Sequence, residues 1–173
     1  SIISLLAGLC VYGSIANARI KYGEEKLNSY LSSIMTISAI SFLFLFAIAF
    51  IFRAFIARLF GLDIFLIPIV VIHGFSSFII TFEVSRLNQL KKAEKATLIS
   101  LTQSIIVIAL SLFFVIRTTN NKAIAKIIGQ VIPIVLYGLV ILVLVYYRGR
   151  EFWNKDYNKY CMAFTFPLLL HGL

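Results

Sequence analysis

The feature that most constrains this chain is an alternation: an apolar run long enough to cross a bilayer, then a short charged stretch, repeated along its whole length. A transmembrane helix needs about 20 mostly apolar residues. Six runs approach that length: residues 1–18, 33–52, 64–82, 96–116, 127–147, and one that opens near Tyr160 and reaches Leu173. They are continuously apolar rather than alternating, which excludes a β-barrel. In hydrocarbon each backbone polar group must find a partner within its own segment, so each run is predicted to be helical. The fold class that follows is all-α: a polytopic transmembrane helix bundle of about six spans. A soluble alternative fails on composition. The chain is 61% hydrophobic and 13% charged, against roughly 25% charged in ordinary soluble domains. A 173-residue soluble core could not hide that much apolar surface. Pro68, Pro133 and Pro167 fall inside or at the start of spans, where a missing backbone donor favours a kink.

Charge then orients the spans. The formal charge is +9. Its carriers sit between the apolar runs, so the membrane surface explains them better than nucleic acid does. The first, third and fifth connections hold Arg19, Lys21, Lys26, Arg86, Lys91, Lys92, Lys95, Arg148, Arg150, Lys155 and Lys159, which is 11 of the 16 Lys and Arg. The positive-inside rule places those three connections in the cytoplasm. Trp153 with Tyr146, Tyr147, Tyr157 and Tyr160 reads as an aromatic belt at that interface. Cys10 and Cys161 lie in apolar stretches with no CxxC pair, and are expected to be inert, with no disulfide framework and no metal site. The chain opens at Ser1 directly in an apolar run and stops in another, AFTFPLLLHGL. Both ends are expected to be cut edges.

Three stretches carry a family resemblance. They are YGSIANARIKYGEEKLNSYLSSI, LNQLKKAEKATLISLTQSIIVIALSLFFV, and the fifth connection running into NKYCMAFTFPLLLHGL. Their order, spacing and topology resemble the Wzx-like polysaccharide (O-antigen and capsule) flippases of the multidrug/oligosaccharidyl-lipid/polysaccharide exporter superfamily. The resemblance implies a two-lobe transporter in the bacterial inner (cytoplasmic) membrane. Residues 1–159 would be N-terminal-lobe helices two to six, and 160–173 the start of the next helix, opening the second lobe. It implies a cationic, water-filled cavity between lobes that accepts a polyprenyl-diphosphate-linked oligosaccharide. The partners it implies are that substrate, membrane lipids and, as a candidate, the polysaccharide polymerase machinery.

The candidate substrate-binding residues are Arg19, His73, Arg86, Gln103 and Gln130. Arginine suits a diphosphate because its planar fork makes two parallel hydrogen bonds. Arg19, beside Asn17 at a span exit, is placed for phosphate contact or for plain anchoring. His73 lies deep in its span. It serves either as a cavity donor and proton-coupling group or as a partner to a neighbouring helix. Glu83 and Arg86 stand three apart on one helix, as an ion pair, or with Arg86 guarding the cavity mouth. Gln103 and Gln130, with Thr102 and Ser104, suit sugar hydroxyls or interhelical hydrogen bonds. Arg53 and Arg58 in FRAFIAR read as snorkelling side chains of an interfacial helix, or as a draw on the departing diphosphate.

No nucleotide, metalloprotease or serine-hydrolase motif occurs, so neither an enzyme nor a cofactor is expected. Two rivals to the flippase reading stay open: a cation-coupled small-molecule antiporter of the same superfamily, and a non-transporting membrane scaffold. The first would call for a carboxylate at mid-membrane depth, and none is seen. The second would lack polar residues inside its spans, and His73, Gln103 and Gln130 weigh against it.

Overall fold

A computed structural model describes residues 14–61, 63–118 and 122–172, with side chains placed as far as Phe164. The described residues form helices and no strand. The order is α1 (Ile15–Ile51), α2 (Arg53–Phe60), α3 (Leu66–Gln89), α4 (Ala93–Arg117), α5 (Lys122–Gly149) and α6 (Lys155–Gly172). Four of them, α1, α3, α4 and α5, are long and apolar enough to cross a membrane. The first predicted span lies mostly outside the described residues. The last belongs to α6, whose opening carries Lys155, Asp156 and Lys159.

The predicted connections are far shorter than the charge pattern suggested. Residues 18–30 read as a loop, yet they are helical on both sides of one residue. Gly23 takes φ 75 and ψ 171, a region essentially closed to side chains. A single glycine therefore turns the chain where a loop was expected. Likewise α3 runs through the charged stretch to Gln89, and only Leu90–Lys92 separate it from α4. Those three residues close a Schellman-type cap: Lys92 N–H donates to the Leu87 carbonyl at 2.9 Å. Lys91 holds the left-handed position with φ 57. On the other side, α2 ends on Gly61, also left-handed, with φ 61 and ψ 30. Pro68 sits in the first turn of α3, where its missing N–H would have found no intrahelical acceptor, so it need not kink the helix. Pro133 is inside α5 and buried.

Glycine and serine let the helices meet closely. A Cβ at Gly129 of α5 would stand 2.7 Å from Ser111 Cα of α4. At Gly138 it would stand 3.0 Å from Ser76 Cβ of α3. At Gly149 it would overlap the Ser32 side chain and the Asn28 carbonyl of α1. Within lipid no hydrophobic force drives helices together, so this backbone approach supplies the packing energy. The core is densest at one end of the bundle, around Leu27, Tyr30, Leu31, Ile34, Phe78 and Phe82, all nearly inaccessible. Toward its far end α1 is more exposed, at Phe44 and Ile51 among others. An apolar crevice of about 320 Å³ is lined among others by Phe42, Ile72, Phe75, Val135 and Leu139. Phe42 and Phe75 stack at its wall, 4.1 Å between centroids.

Candidate functional site

The polar chemistry gathers at the dense end. Contacts from Arg148 to Glu83, from Arg19 to Gln89 and from Asn154 to Ser33 bring the first, third and fifth connections to that one end. This is the arrangement the charge pattern required, whichever membrane face it meets.

Its centre is Glu83. The residue lies on the last third of α3, and its side chain is only 5% exposed. A carboxylate that far from water is costly unless paired. Its Oε1 accepts from Arg86 Nη1 at 2.8 Å, one turn along the same helix, and from Arg148 Nη1 at 2.7 Å, on α5. Arg86 also donates through Nη2 to Asn28 Oδ1 of α1 at 3.1 Å. One buried acid thus ties three helices together and leaves the cluster with one surplus positive charge. The other oxygen, Oε2, is buried with no hydrogen-bond partner. Arg86 is 11% exposed and held, whereas Arg148 is 37% exposed.

Beside it, Arg19 donates to the Gln89 carbonyl at the C-terminus of α3 and to Glu24 beyond the Gly23 turn. A cation at a helix C-terminus is also favoured by the dipole. A serine clamp completes this end. Ser29 and Ser32 donate to the carbonyls of Gly149 and Glu151 at 3.1 and 2.7 Å. Ser33 accepts from Asn154 N–H at 2.8 Å and donates to Asn158 Oδ1 at 2.9 Å. Asn154 in turn caps α6, its Oδ1 accepting from Asp156 N–H at 3.0 Å. The start of α6 is thereby fixed to α1. Tyr22, Tyr30, Tyr157 and Tyr160 pack as one aromatic group there, with Lys21 Nζ 4.0 Å from the Tyr160 centroid.

The predicted belt is accordingly split. Trp153 and Tyr147 are exposed, as a belt requires. Tyr157 and Tyr160 face the tyrosine group, and Tyr146 stacks on Phe152 and shares a hydrogen bond with Thr36. Cys161 is buried, with Ser14 Oγ 3.7 Å from its sulfur. Cys10 lies outside the described residues.

The five candidate residues do not converge on one pocket of this chain. Arg19 and Arg86 share the dense end. His73 stands 13 residues before Arg86 on α3, about 20 Å away at 1.5 Å per residue. Gln103 lies on α4 about 15 Å from the α3–α4 turn, and Gln130 near the opposite end of α5. His73, Gln103 and Gln130 are half-buried and make no side-chain hydrogen bond among the described residues. Thr102, by contrast, shares one with Tyr137 of α5 at 2.9 Å, the interhelical reading. The crevice between α1, α3 and α5 is apolar, so it is not a cationic cavity.

Comparison with known families decides what kind of protein carries this bundle. A sequence model described as polysaccharide biosynthesis protein matches residues 1–173, the whole chain. The chain belongs to the polysaccharide biosynthesis protein family. This is the family of the Wzx-like polysaccharide flippases, so the resemblance carried by the loops and spans is upheld. No curated protein and no solved structure matches it. Membership makes the chain a polysaccharide-related membrane protein. Arg148 and Asn28 are what the sequence reading missed. The one signal available was Glu83 itself, an acid at the edge of an apolar run with only one local base to neutralise it.

Proposed function

We propose that this chain works as a Wzx-like flippase, moving a polyprenyl-diphosphate-linked oligosaccharide across the bacterial cytoplasmic membrane by alternating access. The observation that carries the reading is the family match over the full chain, on a helical bundle built to span lipid. In this proposal the dense end, with its surplus positive charge, faces the cytoplasm, where the positive-inside rule puts it. Arg19 and Arg86 of the original candidates belong to that mouth. All three arginines have protein partners, but Arg86 is only 11% exposed against 28% for Arg19 and 37% for Arg148, so diphosphate contact there falls first to Arg148 and Arg19. His73, Gln103 and Gln130 offer unfilled hydrogen-bonding capacity inside the spans for sugar hydroxyls. The polyprenyl tail stays in lipid throughout.

Glu83 bears on the antiporter alternative. Among the described residues it is the buried carboxylate of the spans, but two guanidinium groups neutralise it. A cation-coupling carboxylate must be free to exchange its ion, and this one is committed. Depleting the native protein in its own cell tests the proposal. The expected result is loss of surface polysaccharide with accumulation of its lipid-linked precursor. Normal surface polysaccharide and unchanged lipid-linked sugars would reject it.

A further inference from the structure

At the end of the bundle away from Glu83, an open surface pocket of about 310 Å³ lies between α2 and the segment leading into α3. Its lining is Ala54, Ala57, Arg58, Gly61, Asp63 and Ile64. Two features set it apart from an ordinary surface dent. First, it brings together one positive and one negative side chain that do not pair with each other or with any other charged group among the described residues. Asp63 Oδ1 accepts only a long contact from Phe65 N–H at 3.4 Å. The neighbouring cation, Arg53, is already spent on the Phe50 ring, 4.7 Å from its centroid. Second, Asp63 is the single acid of the second and fourth connections, the rest of the chain's acids lying in or beside the other three. An acid placed there is not part of a general mixture of surface charge.

The surroundings fix the depth. Phe52, Phe55, Leu59, Phe60 and Phe65 are all more than half exposed around this short basic helix. A helix with bare aromatic and aliphatic side chains plus arginine lies in the boundary between headgroups and acyl chains. The cavity therefore opens at headgroup level, above an apolar skirt. A ligand that fits carries a negative group for Arg58 and a positive group for Asp63 and continues into hydrocarbon.

We infer that this cavity binds the zwitterionic headgroup of an amine-bearing membrane phospholipid, its phosphate on Arg58 and its ammonium on Asp63. The guanidinium fork suits the phosphate oxygens, and the carboxylate accepts the ammonium N–H donors. Acyl chains lie along Phe55, Leu59 and Phe60. An anionic phospholipid would satisfy Arg58 but set a second negative group near Asp63. A phosphatidylcholine would supply the charge but no N–H donor.

The inference stands independently of the transport reading, and so does its test. The purified full chain in detergent is incubated with equimolar phosphatidylethanolamine, phosphatidylglycerol and phosphatidylcholine, and retained lipid is counted by native mass spectrometry. The wild type should retain phosphatidylethanolamine about threefold over phosphatidylglycerol, the size of one exposed charge contact. Asp63→Asn should erase that preference, and Arg58→Gln should lower retention of all three lipids. Both side chains are exposed, so both variants should keep the wild-type circular dichroism. Equal retention of the three lipids by the wild type, or a preference that survives Asp63→Asn, overturns the assignment.

Discussion

Replacing Glu83 by Gln keeps the shape of the side chain and removes its charge. Two guanidinium groups then face a neutral amide. Breaking a buried ion pair from one side costs about 3–5 kcal/mol, because the remaining charge is left unpaired away from water. That figure applies to Arg86, which is 11% exposed and retains only Asn28 as partner. Arg148 is 37% exposed. It can turn toward water and adds about 0–1 kcal/mol, the value of an exposed pair. The glutamine oxygen still accepts one hydrogen bond, which offsets about 1 kcal/mol. The net expectation is a loss of about 3 kcal/mol for Glu83→Gln and about 1 kcal/mol for Arg148→Gln. Reversible unfolding by SDS titration in mixed micelles reads both. Trp153, the single tryptophan, sits in the connection that the serine clamp holds and reports fluorescence without a label. The Glu83→Gln, Arg86→Gln double variant should recover at least 1 kcal/mol of the additive sum, since it removes the stranded charge together with its partner. Equal losses for Glu83→Gln and Arg148→Gln, or strict additivity of the double variant, would refute the view that Glu83 holds the three helices by neutralising Arg86.

Four further outcomes follow from local geometry. Gly23→Ala should cost about 1–3 kcal/mol through backbone strain alone, since nothing stands within 4 Å of the added methyl. Gly61, in the ordinary left-handed region, should accept Asn within a few tenths of a kcal/mol while Gly61→Ala loses about 1, and the same titration compares them. Among the α5 glycines, Gly149→Ala should be the most damaging, because its methyl meets the Asn28 backbone as well as Ser32. Gly138→Ala meets atoms at 3.0 Å or beyond and should cost about 1 kcal/mol, read from the yield of monodisperse protein and its unfolding midpoint. Ser33→Ala removes the acceptor for Asn154 N–H and a donor to Asn158, whose Nδ2 already lacks a partner. It should cost about 1–3 kcal/mol and speed amide exchange at the start of α6 before exchange rises elsewhere.

The spans were legible in the sequence because hydrocarbon accepts few residue types, and length plus apolarity nearly suffices to place a helix there. The shared end of the three basic connections was legible for the same reason: spans alternate in direction, so odd connections must meet. The connections themselves were not. Charge marks where water is, not where a helix stops. Glu24, Glu25 and Lys26 are good helix formers, so α1 resumes directly after Gly23. The pairing of Glu83 with Arg86 followed from helical spacing, but Arg148 is 65 residues away, and a single sequence carries no register between α3 and α5. Tyr157 and Tyr160 had the composition of an interfacial belt. Their packing against Tyr22 and Tyr30 depends on how α6 is pinned by Ser33 and Asn154, which is a tertiary fact. Gln103 and Gln130 lie on different helices, α4 and α5, and whether such a pair meets is again a tertiary fact.

The central claim is movement of a lipid-linked oligosaccharide between leaflets, and its location in depleted cells tests that most directly. Spheroplasts and inverted vesicles from cells lacking the native protein would be probed with a membrane-impermeant sugar-specific reagent. The account predicts labelling of the lipid-linked oligosaccharide only in inverted vesicles, on the cytoplasmic face. Equal labelling of the outer face in spheroplasts would contradict it.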